Sequence, residues 1–351
     1  MIPSPAAIRA ATEWLSARAR WHPLEYLFWL AAFASIFLLR GEHLILTEIA
    51  WLALFALSLD LILGYAGIIS LGHAAFLGLG AYTAALLAKF HIVDEPVLAL
   101  LCGGLVAMVI GFVTSFLVLR GSDLTRLMVT LGVALILSEL ANRNGWLTGG
   151  ADGLQGVEIK PVLGLFDFDL SGHTGYTYCL IVLFVLFLLA RRLVNSPFGL
   201  SLLSVKSNAL RAQAIGIAVD IRLVIIYTIS AFYAGVAGAM VAQTTAFASL
   251  ELFSFDRSAD LLLVLIIGGA GYLYGGLIGA IVFKFMQDYL SELTPQYWPF
   301  WIGLLLVVLV LVGRERITTW TTPIRQLAAR LDWRAASRLT VPSAEEPGHR
   351  P

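Results

Sequence analysis

The chain is a succession of long apolar runs, and the second of them, Leu44 to Leu63, is as long as a helix must be to cross the hydrocarbon core of a bilayer. Other runs follow at about Ala74 to Lys89, Pro96 to Leu119, Leu124 to Ala141, Tyr178 to Val194, Leu223 to Ala246, Leu277 to Leu290 and Trp298 to Val312. Shorter runs lie at Leu24 to Leu39 and Leu261 to Ile267. Composition agrees: 59% of residues are hydrophobic and 13% charged, against about 25% charged in soluble domains. The expected fold class is therefore all-α, a polytopic membrane protein of about ten transmembrane helices.

Charge sets the orientation. The lead of residues 1–23, the Arg120 to Arg126 turn, the 191–222 segment and the tail after Gly313 hold 17 of the 23 Lys and Arg residues but 7 of the 23 acids. Basic loops stay on the cytoplasmic side, so both termini are expected inside. The domain reading is an amphipathic lead-in over 1–23, a transmembrane domain over 24–313 and a basic tail over 314–351. Asn142 to Thr177 and residues 247–260 then lie outside, where Asp152, Glu158, Asp167, Glu251 and Asp256 collect. About five spans on each side of residue 160 would make the halves an inverted repeat.

Two stretches interrupt the apolar pattern with glycine. One is Gly64 to Gly80, which contains Ser70, Gly72 and His73; the other is Gly268 to Gly279, which contains Gly268, Gly269 and Gly271. Irregular backbone at membrane depth survives only where protein or water satisfies its freed N–H and C=O groups. The two stretches accordingly point to a pathway or a subunit interface packed at small residues, and these six residues are the expected translocation pathway. The first arm of the second stretch, Leu261 to Ile267, is too short to span unaided.

Between two spans, Asn195 to Arg222 leaves the membrane and returns. Ser204 is a reasonable N-cap and Gly216 a reasonable left-handed terminator, so one helix of about three turns is expected over 205–215. Leu203, Leu210, Ala214 and Ile217 fall on one side of it, with Ser204, Ser207, Asn208 and Arg211 a quarter turn away. A helix that short needs a surface to hold its apolar side.

Ionisable residues within or near spans are Glu48, Asp60, Glu139, Lys284 and Asp288. Lys284 and Asp288, four apart, read as a local ion pair. Glu48 and Glu139 lie near outer span ends, where snorkelling removes most of their cost. Asp60 sits about a turn from the inner edge, within reach of cytoplasmic water. His73 reads as a hydrogen-bonded core histidine more readily than as a ligand. The sequence carries no phosphate loop, metal-ligand spacing or nucleophile elbow, so no catalytic residue, metal or cofactor is assigned to this chain. An ion-coupled carrier would call for charged sites deep in the bundle. No nucleic-acid partner is indicated.

The segments SPFG, RAQAIGI and SAFYAGVAGAM, together with GYAGIISLGHAAFLGLGAY, LTGGADGL and GGAGYLYGGLIGA, resemble in wording and order the branched-chain amino acid permease family of the LivM type. They cover most of residues 45–313. One departure stands at Asn208-Ala209, where many such permeases have a Glu before the Ala run. The resemblance implies a subunit of a heteromeric ABC importer for branched-chain amino acids, with relatives that carry urea, short amides or aromatic acids. It implies a second homologous, LivH-like permease subunit, two ATP-binding subunits that hold ATP and Mg, an external solute-binding protein, and membrane lipid around the spans. On that reading Ser207, Leu210, Arg211, Ala214 and Gly216 couple to an ATPase. Gly149, Gly150, Asp152 and Gly153 receive the binding protein.

Overall fold

The computed structural model describes residues 21–39, 41–121, 123–169 and 171–312. The amphipathic lead-in expected over 1–23 falls almost wholly outside these residues, and the basic tail 314–351 falls entirely outside them.

The described residues are helical, with two isolated β-bridges, Leu154 with Ala248 and Val162 with Phe166. In order the helices are α1 Pro23–Leu38, α2 His43–Leu59, α3 Ala74–Lys89, α4 Pro96–Val118 and α5 Asp123–Arg143. After the short α6 Gly145–Thr148 come α7 His173–Val194, α8 Pro197–Ser207, α9 Ala209–Ala214 and α10 Val219–Thr245. The series closes with α11 Phe255–Gly268, α12 Leu273–Leu293 and α13 Trp298–Val312. A π-helical segment, Asp60–Ala66, extends α2. Five helices are long and apolar enough to cross a membrane, and a sixth crossing results if the bent pair α11 and α12 counts as one span. The chain divides into two compact units, 1–288 and 289–351.

In the first unit α10 is the central element and packs on α4, α3 and α2, while α2 also packs on α7. Small residues make this possible, since lipid supplies no hydrophobic drive between helices and close packing must take its place. A methyl group at Gly80 would strike the carbonyl of Gly235, and one at Gly238 would strike that of Leu77. Around these backbone contacts Tyr227, Phe55, Phe76 and Phe187 fill the interior. At one edge Arg191 of α7 pairs with Glu25 of α1 beneath the Trp21 ring, whose centroid is 4.4 Å from the guanidinium carbon.

The bent pair corrects one expectation. Its first arm is longer than the apolar run Leu261 to Ile267, because α11 begins at Phe255, where Ser254 Oγ accepts the Arg257 N–H at 3.3 Å. α11 and α12 cross at 112°. Their backbones nearly touch: a methyl at Gly268 would meet the Gly275 carbonyl, and one at Gly279 would meet the Val264 carbonyl.

Candidate functional site

The two glycine-broken segments meet each other and the loop between spans at one place. α2 loosens into the π-helical segment at Asp60, and that segment stops at Gly67, whose φ of 76° is left-handed and suits glycine. A π turn leaves carbonyls without their ordinary partners, and such turns recur at functional positions. Here Lys206 Nζ of α8 donates to the Gly64 carbonyl at 2.5 Å. Asp60 Oδ1 accepts the Gly271 N–H at 2.6 Å. Gly64 has no room for a side chain, because a methyl there would meet the Asp60 carboxylate and the Gly271 nitrogen. The Lys206 stem also lies over Gly67, so one side chain of α8 meets both the π turn and the glycine that ends it.

Two readings of single residues change. Asp60 does not reach water; it is fully buried and holds the backbone of the second broken segment. Its partner is 211 positions away, which no local pattern reveals. Glu48 is not merely solvated at a span end, since its carboxylate takes Lys284 Nζ at 2.5 Å while Lys284 also pairs with Asp288 at 3.0 Å.

The other expected pathway residues of the first segment face inward. Ser70 and His73 are buried, at 1% and 0% exposure. A methyl at Gly72 would run into the Thr130 carbonyl of α5. His73 Nε2 lies 2.9 Å from Ser58 Oγ and 3.3 Å from Ser230 Oγ. Both hydroxyls donate elsewhere, Ser58 to the Phe55 carbonyl and Ser230 to the Ser58 carbonyl. They can therefore only accept from the ring, which assigns the proton to Nε2. His73 Nδ1 and Ser70 Oγ then remain buried polar atoms with no hydrogen-bond partner among the described residues. In the second segment Gly269 (φ 97°) and Gly271 (φ 89°) are left-handed, Gly269 is buried, and Gly268 and Gly271 are half-buried. Contacts that join the segments run through Asp60 and Gly64 to Gly271, so the sequence reading missed two members of the junction. The signal available for Asp60 was a carboxylate inside an apolar run directly before a glycine break.

The loop between α7 and α10 is two helices, not the single helix expected over 205–215. Ser204 lies inside α8, and Asn208, extended at φ −165° and ψ 106°, ends α8 and caps α9, its Oδ1 accepting the Arg211 N–H at 2.9 Å. An asparagine accepts that N–H as readily as a serine would. Gly216 does close α9 in the left-handed region at φ 87°. Its N–H donates to Gln213 O at 2.9 Å and the Ile217 N–H to Ala212 O at 3.0 Å, the paired bonds of a Schellman motif. The helical side turned to the protein is marked by Ala212; Leu210 is 78% exposed and Ile215 75%. Ser207, Arg211, Ala214 and Gly216 are exposed as well.

The expected docking turn is built from left-handed glycines, Gly149 (φ 78°), Gly150 (φ 58°) and Gly153 (φ 73°), and it leaves Asp152 exposed. Leu154 N–H donates to Ala248 O at 2.7 Å, which ties this turn to the one after α10. Nearby, the Lys160 ammonium at 2.5 Å and His91 hold the Asp94 carboxyl below its ordinary value, chiefly through the hydrogen bond from Lys160. Among the described residues no three His, Cys, Asp or Glu side chains gather as metal ligands.

Comparison with known proteins places this geometry. The family described as "Branched-chain amino acid transport system / permease component" matches residues 43–312, a span that contains both broken segments and the α8 and α9 pair. The high-affinity branched-chain amino acid transport system permease protein LivM of Salmonella typhimurium is 26% identical over 306 residues, covering 81% of this chain and 71% of that protein. LivM of Escherichia coli K12 is 26% identical over 305 residues with the same shares. The autoinducer 2 import system permease protein LsrC of Yersinia pseudotuberculosis is 29% identical over 242 residues, covering 66% of this chain and 65% of that protein. No solved structure matches the chain. A polytopic helical chain with this match is a translocation subunit and not an ATPase. It belongs to the family of permease components of branched-chain amino acid transport systems, and is the membrane permease component of an ABC-type transporter.

Proposed function

We propose that this subunit carries branched-chain amino acids inward across a bacterial plasma membrane, in about ten crossings with both termini cytoplasmic. Its second permease is a homologous LivH-like chain, ATP and Mg act on two separate nucleotide-binding subunits, and an external binding protein delivers the cargo. The observation that carries the transport reading is the hydrogen bond from Lys206 to the Gly64 carbonyl. It joins the loop that would touch an ATPase to a broken helix that would line the path. Exposed Leu210 and Ile215 supply the apolar side of a helix-in-groove contact with that ATPase, and Ser207, Arg211, Ala214 and Gly216 surround it. The path itself is proposed along Ser70, Gly72 and His73 on one side and Gly268, Gly269 and Gly271 on the other. Gly149, Gly150, Asp152 and Gly153 are the proposed receiver of the binding protein.

The two LivM relatives support branched-chain amino acids as cargo. The LsrC relative keeps a second reading open, the same scaffold with a different small polar solute. Reconstitution in proteoliposomes with the sister permease, both ATPases and the binding protein separates the two. ATP-dependent uptake of radiolabelled leucine, isoleucine and valine, well above that of urea, short amides or aromatic acids, is the expected result. Leucine uptake no greater with ATP than without it would overturn the cargo assignment.

A further inference from the structure

A cavity of about 170 Å³ lies between α2, α11 and α12, separate from the junction at Gly64. Four charged side chains line it, Glu48, Arg257, Asp260 and Lys284, two of each sign. Glu48, Leu52 and Phe55 follow one another at helical spacing on one face of α2, so the charge at the rim gives way to an apolar floor that Phe283 completes. Beneath the floor the Phe55 ring stacks on His73, centroids 5.8 Å apart, which sets the cavity directly over the first broken segment.

The charges are only partly committed to one another. Lys284 uses two of its three donors on Glu48 and Asp288. Arg257 binds Glu251 at 2.7 Å. Asp260, half-buried, makes no hydrogen bond or close ion pair among the described residues. A carboxylate drawn out of water with only the opposite charge of Arg257 near it and no hydrogen bond is costly, and so is an ammonium with a donor left over. One ligand can satisfy both only if it carries an ammonium and a carboxylate together. A lone anion would leave Asp260 without a hydrogen bond, and a lone cation would leave the Lys284 donor unused. Volume limits the choice further, since 170 Å³ is below the roughly 300–1,000 Å³ of pockets for larger ligands.

We infer that this cavity binds the zwitterion of a small α-amino acid with an apolar side chain. The ammonium sits on Asp260, the carboxylate on the free Lys284 donor, and the side chain rests on Leu52, Phe55 and Phe283. The inference rests on the reading of this subunit as an amino-acid permease in one respect, that it takes the cavity as a station on the route.

The test uses the complete complex in nanodiscs, free of nucleotide and binding protein, with Gln287→Cys placed in the cavity wall. Labelling of residue 287 by N-ethylmaleimide is followed by peptide mass spectrometry. Leucine at about ten times its Kd slows labelling about tenfold by mass action. Leucinol, which lacks the carboxylate, and 4-methylpentanoate, which lacks the amine, do not slow it. Asp260→Asn, of the same shape, abolishes protection by leucine and leaves the rate without ligand unchanged. Radiolabelled leucine binding to the unsubstituted complex, competed by the same two analogues, gives the answer without any variant. If leucine is taken up by the complex but neither protects residue 287 nor binds, the site is wrong and the transport reading stands. If leucine is not taken up and another apolar zwitterion such as phenylalanine protects, the site stands and the branched-chain cargo is wrong. Equal protection by leucinol overturns the zwitterion site.

Discussion

The carboxylate of Asp60 accepts the backbone N–H of Gly271 at 2.6 Å, so a side chain on one broken helix holds the turn of the other. A hydrogen bond to a charged group contributes about 1.5–3 kcal/mol. Asp60→Ala is expected to lower the stability of the purified complex by that order, whereas Asp60→Asn keeps an acceptor oxygen and loses less. Thermal unfolding in detergent measures both, and an unchanged midpoint for the alanine variant removes this bond as a structural tie.

Lys206 holds a carbonyl of the π turn from the neighbouring loop. Lys206→Gln shortens the reach and is expected to leave the ATPase subunits bound and hydrolysing, while transport per ATP falls about tenfold, the equivalent of 1.4 kcal/mol of lost coupling. Parallel ATPase and uptake assays read the two quantities. A proportional fall in both would mean that Lys206 supports assembly and not coupling.

Around α9, a bulky change at exposed Ala214 should displace an ATPase subunit without disturbing the fold. Gly216→Val should act differently, by opposing the left-handed φ of 87° at the cost of about 1–2 kcal/mol. Arg211→Glu should do least, as a solvated rim charge. Co-purification of ATPase subunits ranks the three; retention with Ala214→Trp places the contact elsewhere.

Two glycines in helices should respond in opposite ways to alanine. A methyl at Gly80 meets the Gly235 carbonyl, while one at Gly132 meets nothing within 4 Å. Gly80→Ala is expected to destabilise by about 1–3 kcal/mol through overpacking. Gly132→Ala should be neutral or stabilise by up to about 1 kcal/mol through helix propensity. Folded yield and melting midpoint distinguish them.

Asp152 stands exposed on a turn of left-handed glycines. Asp152→Lys should reduce binding-protein-stimulated ATP hydrolysis several-fold at low salt and less at high salt, because an exposed charge is screened over about 10 Å at 0.1 M ionic strength. Stimulation that is unchanged at low salt ends the case for Asp152 as a docking contact.

Much of the scaffold was legible. Trp298 to Val312 and Ala74 to Lys89 are helices with the limits that their apolar runs suggested. Helices that continue past their apolar run were underestimated: α7 starts at His173 and not Tyr178, and α10 at Val219 and not Leu223. Hydropathy reports the stretch that suits lipid, while capping and backbone hydrogen bonds decide where a helix stops. The break at Asn208 was obscured because Ser204, four residues earlier, has the same capping chemistry. The partners of Asp60, Glu48 and Lys206 were beyond reach for another reason, since each lies on an element distant in sequence and leaves no mark on the residue's own neighbourhood.

Asn208 changes what the loop can transmit. An unbroken rod ending at Gly216 would push only along its own axis. With extended Asn208 between them, α8 and α9 are two separate arms, and Lys206 ties the inner one to the Gly64 carbonyl. On the proposed coupling reading the loop would work as a bell crank, with Asn208 as its fulcrum.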